Sequence, residues 1–220
     1  MLQNLLAKLK GIILKPQDTW NTIKTEDISN QDLMKNFALI MAAIPALAKF
    51  IGLSFVGVSV PIIGTIRIGV GTGLGHAFVS FLLALAGTYL FAVIINFLAP
   101  NFGSQKNFNN ALKVAVFTMF PAWAVGLLNI FPSLTFIVLL LSLYSLYVLF
   151  IGQPILMDTP KEKSAGYVVT SIIAMIVVYI IIGVILSTMF STSMGASALE
   201  ESGLGETMKN LDKFKDLMGK

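Results

Sequence analysis

Residues 134–156 read LTFIVLLLSLYSLYVLFIGQPIL, 23 positions without one charged side chain. The hydrocarbon core of a bilayer is about 30 Å thick, and a helix crosses it with roughly 20 apolar residues. A stretch this long and this uniformly apolar has no polar face to turn to water, so it reads as a membrane span. Outward from it the pattern recurs over 35–57, 75–98, 111–131 and 167–190, each bounded by polar or turn-forming residues. The last is dense in Ile and Val, which weaken a helix in water. In lipid an unmet backbone hydrogen bond costs more than that preference, so helix is the expectation for all five.

Composition agrees. The 220 residues are 56% hydrophobic and 12% charged, with a mean hydropathy of +0.84, about half the charge of an ordinary soluble domain. A water-soluble globular fold is excluded. With no cysteine and a single histidine, disulfides, thiolate chemistry and multi-histidine metal centres are excluded too. The net charge of +4 is too small to suggest nucleic acid as a partner. The basic residues are better read by their position along the spans.

Lys8, Lys10, Lys15, Lys24, Lys35, Lys106, Lys113, Lys161 and Lys163 fall on one side of the five-span arrangement. Arg67, Lys209, Lys213, Lys215 and Lys220 fall on the other, with Lys49 set aside as intramembrane. This bias places the N-terminus in the cytoplasm and the tail outside. Between the first two spans, residues 54–75 hold Pro61, Arg67 and glycines at 57, 64, 69, 71, 73 and 75. So much glycine argues against a continuous helix. The segment reads as an apolar loop or hairpin near the membrane surface, or else as a re-entrant piece buried in protein.

Residues 1–14, MLQNLLAKLKGIIL, space Leu2, Leu5, Leu6, Leu9, Ile12 and Ile13 on one helical face. Gln3, Asn4, Lys8 and Lys10 interrupt the apolar run that a cleavable signal needs. The expectation is an amphipathic helix in the cytoplasmic interface, its lysines facing anionic headgroups; packing on the protein's own loops is the alternative. After the fifth span a flexible Ser/Gly/Ala link over 191–198 leads to a second amphipathic segment carrying Leu204, Met208, Leu211, Phe214, Leu217 and Met218.

Several segments resemble the prokaryotic branch of the Yip (Ypt-interacting protein) family. Leu14-Lys15-Pro16 with Trp20 and Ile23 is similar to the family's L-x-P…W-x-x-I opening. LYSLY at 143–147 through GQPILM at 152–157 resembles its fourth span and exit, and TPKEKSAGY at 159–167 the loop into its last span. The similarity covers about residues 10 to 190 and implies five spans, a cytoplasmic N-terminus and an external C-terminus. Eukaryotic members act in vesicle traffic with Rab-type GTPases. Residues 26–34, EDISNQDLM, lack their Asp-Leu-x-Gly-Pro-type motif, so the resemblance does not carry that role here.

Six intramembrane residues stand out. Lys49 lies about eight residues from the outer end of the first span, where a charge must reach water or a partner. It either faces a hydrated cavity, contacting an anionic solute or headgroup, or snorkels outward along its stem, the preferred reading. His76 opens the second span; it could relay protons, but no Asp or Glu lies in any span to receive them. An interfacial hydrogen bond suits it better. Pro45 and Pro121 share the frame Pro-Ala-x-Ala in spans one and three. Each removes a backbone hydrogen bond and should kink its helix, and the matched pair hints at an internal repeat. Tyr144 and Tyr147 share a helix face and, with Asn96, Asn129, Gln153, Tyr89 and Tyr179, suit interhelical hydrogen bonding.

No paired carboxylates, zinc-type spacing or nucleophile–base–acid set emerges, so neither an enzyme nor a cofactor is expected. The sequence therefore predicts an all-α integral membrane protein of the inner (cytoplasmic) membrane of a prokaryote. It is a five-helix bundle in three parts: residues 1–34, a cytoplasmic amphipathic segment; 35–190, the membrane domain; and 191–220, the link and tail. The expected partners are the lipid bilayer and a homo-oligomer or another membrane protein. The expected role is a non-enzymatic scaffold or adaptor presenting 1–34, 100–110 and 158–166. The alternative is a small oligomeric transporter or channel for a small solute or lipid, built around Lys49, His76 and the proline kinks.

Overall fold

Short polar signals set where the helices begin. Helix α1 (Leu2–Leu14) ends at Lys15, and Pro16 then occupies the first turn of α2 (Pro16–Thr25). There its missing N–H costs nothing. Asp18 in the first turn and Lys24 in the last complement the α2 dipole. Ser29 accepts the Asp32 amide (3.1 Å) at the head of α3 (Asn30–Val56). Asn107 does the same for Asn110 (3.0 Å) at the head of α5 (Phe108–Ile130). The other helices are α4 (Val70–Phe102), α6 (Pro132–Leu156) and α7 (Lys161–Glu201).

This computed structural model describes residues 2–60 and 64–201, the backbone alone at 2, 189–190 and 192–201. Pro61 and the amphipathic tail expected from Leu204 onward lie outside the described residues. Helices α3 to α6 and α7 as far as Thr188 are each long and apolar enough to cross a membrane, which gives the five spans expected. They alternate in direction, since every turn from α4 to α5 and from α6 to α7 lies at the end where α3 begins. Ser104 bonds Thr159 (2.9 Å), and Asn109 bonds the Ile28 carbonyl and Asn30 (both 2.8 Å). Gly103 in the left-handed region (φ 74) closes α4 there, returning the Ser104 amide to the Ala99 carbonyl at 3.0 Å.

Helix α5 is the axis of the bundle. From Ala111 to Pro121 every residue is buried, while α4, α6 and α7 keep Phe78, Phe97, Phe136, Leu139, Ile173 and Ile180 exposed on the outside. An apolar exterior around an apolar core is the solution for a solvent of lipid tails. The helices approach through missing side chains. A Cβ on Gly52 would meet the Asn129 carbonyl oxygen at 2.2 Å, and one on Gly126 would meet the Pro45 Cβ at 2.5 Å.

Two expectations need correction. The span expected to begin at 75 begins at Val70, with Gly71, Gly73 and Gly75 inside the helix. Gly73 lets Ser54 and Phe50 pack close there, since a Cβ would lie 2.1 Å from Ser54 Oγ and 3.0 Å from the Phe50 ring; packing outweighs helix propensity. Beyond α3 the strands expected of a hairpin are present: β1 (Val58–Val60) pairs antiparallel with β2 (Gly64–Ile66), Val58 opposite Ile66, so the all-α bundle carries one small β-ribbon. Lastly, the link expected to be flexible over 191–198 is helical, as α7 runs to Glu201. Its alanines favour helix enough to carry the single Gly195.

The largest departure is at the N-terminus. Helices α1 and α2 form an antiparallel hairpin, closest where Gly11 faces Thr19, and it lies along α6. Leu5, Ile12, Trp20 and Ile23 are buried in one core with Phe37 and Phe117. Leu6, Ile13 and Leu14 stay exposed. The apolar face of α1 is thus divided between protein and surroundings, and its buried part packs on the helices of the bundle. No core boundary falls at residue 34. At Gly152 a Cβ would sit 2.1 Å from the Trp20 ring, whereas at Gly183 it meets nothing within 4 Å. Gly152→Ala is expected to cost about 1–3 kcal/mol through overpacking and to expose residues 1–25 to protease. Gly183→Ala should change neither thermal unfolding in detergent nor cleavage.

Candidate functional site at the hairpin end of the bundle

The hairpin is held by a ladder of polar contacts running from the end of the bundle toward its middle. At the base, Lys24 pairs with Asp158, a residue in the left-handed region (φ 49) that turns α6 into α7. One level further in, Lys8 forms an ion pair with Glu26 although only 5% of its surface is exposed. Lys113 of α5, also buried, donates to the Glu26 carbonyl at 2.6 Å. Two lysines therefore converge on one residue, Lys8 on its carboxylate and Lys113 on its main chain. The Lys8 ammonium lies 5.7 Å from the Phe117 ring centre, near enough for cation–π attraction.

Above this level the contacts are aromatic. Trp20 donates its indole N–H to the Val148 carbonyl (3.1 Å) and meets Phe117 edge-on at 6.3 Å. Phe37 and Phe120 complete the cluster, their centroids 5.3 and 5.0 Å from Phe117. At the tip, the Tyr144 hydroxyl donates to the Ile13 carbonyl at 2.9 Å, satisfying one of the last acceptors of α1. A second polar node ties α4, α6 and α7. There the Tyr167 hydroxyl donates to the Ile95 carbonyl (2.5 Å) and Gln153 donates to Ser171 (2.7 Å). The Trp20, Tyr167 and Gln153 contacts are buried, where a polar contact fixes register.

The six residues singled out from sequence do not converge. Tyr144 and Tyr147 belong to the hairpin site, their rings 5.4 Å apart, with Tyr147 half exposed. The interhelical role expected of Tyr144 is realised toward α1. Pro121 is buried within α5, and Pro45 packs on Gly126. Each helix continues through its proline. His76 is buried in the first turns of α4, on the side of Gly73 that meets Phe50 and Ser54. Lys49 is exposed on the outer surface of α3.

Sequence reasoning did not assemble Lys8, Glu26 and Lys113: it weighed the two lysines by side of the membrane and met Glu26 only within residues 26–34. One signal was present: Lys8 lies three residues after Leu5 and four before Ile12, on the buried stripe itself. Its partner Glu26 had no such mark.

Beside this ladder lies a polar cleft of about 370 Å³, lined by Gly103, Gln105, Lys106, Asn107, Asn110 and residues 156–158. The arrangement defines a class: a five-span helical membrane protein whose N-terminal helical hairpin is built into the bundle. Residues 10–198 match the Yip1 domain, and the chain belongs to that family. The chain is 22% identical over 165 residues to "Inner membrane protein YohC" of Escherichia coli K12, covering 74% of this chain and 85% of that protein. The protein of the same name from Escherichia coli O6:H1 matches to the same extent. No solved structure matches the chain. It is a multi-pass inner membrane protein, and the family match over residues 10–198 takes in the end of α1, α2 and all five spans.

Removing one partner of a buried ion pair strands the other. Glu26→Ala is expected to lower unfolding stability by about 2 kcal/mol or more. Lys24→Ala, at the exposed pair, should cost no more than about 1 kcal/mol. Thermal unfolding of both variants in the same detergent gives the comparison.

Proposed function

We propose that this protein is a non-enzymatic membrane scaffold that docks a protein partner on its hairpin end, and that this end faces the cytoplasm. The observation that carries the proposal is how unevenly polar surface is distributed. Gln105, Lys106, Asn107, Asp158, Lys161, Glu162 and Lys163 are all exposed at that end. The middle of the bundle is filled by Phe37, Phe117, Phe120 and Trp123. Charged and amide groups around a cleft suit recognition of a polar partner surface. The lysine bias of the same loops supports the cytoplasmic placement.

A transport pathway would gather Lys49, His76 and the two prolines around one route. Lys49 instead lies on an outer surface, and Pro121 is sealed within α5. The scaffold reading uses the surface the fold actually presents.

Deleting residues 1–34 would remove part of the core, so truncation is a poor test. A photo-crosslinking amino acid in place of Gln105 is expected to capture a specific foreign protein in native membranes, identified by mass spectrometry. The same probe in place of Phe136, on the apolar exterior, should capture lipid. Identical products from both positions, or self-crosslinks alone from position 105, would contradict the scaffold role.

A further inference from the structure

The hairpin brings polar side chains to a depth where hydrocarbon is expected. Tyr144, which holds the end of α1, lies midway between Pro132 and Leu156. That is about 18 Å from either end of α6 at about 1.5 Å per residue. Lys15, Gln17 and Asp18 border Tyr147 and Ile151, about 4 to 10 Å nearer the loop end of α6. Yet the outward face of α2 is formed by Gln17, Asp18, Asn21 and Thr22, all exposed. Such a face against lipid tails would be costly, so it must adjoin water or a polar ligand.

Between α1 and α2 runs an open groove of about 470 Å³, within the size range of small-molecule sites. Asn4, Lys8, Lys10, Lys15 and Asp18 are among its lining residues. Glu26 neutralises Lys8. Lys10 and Lys15 form no ion pair among the described residues, and with Asp18 as the remaining acid the groove keeps an excess of positive charge. The rest of its lining includes apolar Ala7, Leu14 and Ile23, with Leu14 65% exposed.

We propose that this groove binds the phosphate-bearing headgroup of an anionic phospholipid. Lys10 and Lys15 hold the phosphate, and the acyl chains lie over Ala7 and Leu14. A free phosphate ester offers the same anion, but it would leave the apolar lining uncovered. An amphiphile matches both halves of the site, and its tails explain how a headgroup is held this far along a span. The site stands independently of the docking role proposed above, because it lies on the flank of the bundle and involves none of the α4–α5 or α6–α7 loops.

Native mass spectrometry of the full chain released from detergent, with phosphatidylglycerol or phosphatidylcholine of identical chains, tests this. Phosphatidylglycerol adducts are expected to predominate, and Lys10→Gln/Lys15→Gln is expected to lower their apparent affinity roughly tenfold or more. Lys106→Gln/Lys161→Gln, at the loops, should leave it unchanged. Asp18→Asn should raise it, a gain that impaired folding would not produce and that serves as the test if the double variant fails to fold. Equal adducts from the two lipids, or no effect of the groove substitutions, would overturn the proposal. Displacement of phosphatidylglycerol by millimolar glycerol 3-phosphate would also overturn it, in favour of a soluble phosphate ester.

Discussion

Trp20 occupies the notch that Gly152 leaves in α6 and donates its indole N–H to the Val148 carbonyl. A carbonyl already engaged in a helix keeps a second lone pair, and only a residue without a side chain lets an indole reach it. The arrangement of the N-terminal hairpin depends on this contact. With Trp20 seated, Ile12 and Ile23 face Phe37 and Phe117, and the α1 end comes within reach of Tyr144. The same placement brings Lys8 beneath Phe117 and onto Glu26.

The two ends of the bundle are built on different physics. Away from the hairpin, helices approach through glycine: Gly52 at the Asn129 carbonyl, Gly126 at Pro45, Gly73 at Ser54. Close backbone approach supplies the dispersion that holds helices together where lipid tails are as apolar as leucine. At the hairpin end, asparagine amides, lysines and hydroxyls bond across the loops and fix the register of all five spans. A rigid polar platform is what a docking surface requires. The flank groove is proposed as a second kind of contact, with the bilayer itself.

Much of this was legible in the sequence, and the remainder failed for identifiable reasons. Five apolar blocks gave five spans because membrane thickness is a one-dimensional constraint that composition meets directly. The Gly-rich segment was harder. Propensity treats Gly71, Gly73 and Gly75 as helix breakers, while the need to seat Ser54 and Phe50 against Gly73 keeps them helical. The amphipathic stripe of α1 was read correctly as apolar, but a stripe does not say whether it faces lipid or protein. The position of Lys8 on that stripe was the local hint of burial. Glu26, 18 residues away in the chain, could be joined to it only by the turn at Lys15 and Pro16. The Tyr144 and Trp20 contacts span 131 and 128 residues, beyond any periodicity.

The central claim is that the hairpin is part of the intramembrane structure, with its tip at mid-span. The chain contains no cysteine, so a nitroxide can be placed at single introduced cysteines without further change. Collision rates with oxygen and with a polar nickel chelate then report depth in reconstituted vesicles. A label at Leu14→Cys is predicted to show the high-oxygen, low-nickel ratio of a label at Leu140→Cys, on the exposed apolar face of α6. A ratio at residue 14 equal to that of Lys161→Cys, at the loop end, would place the hairpin in the aqueous phase and contradict the account.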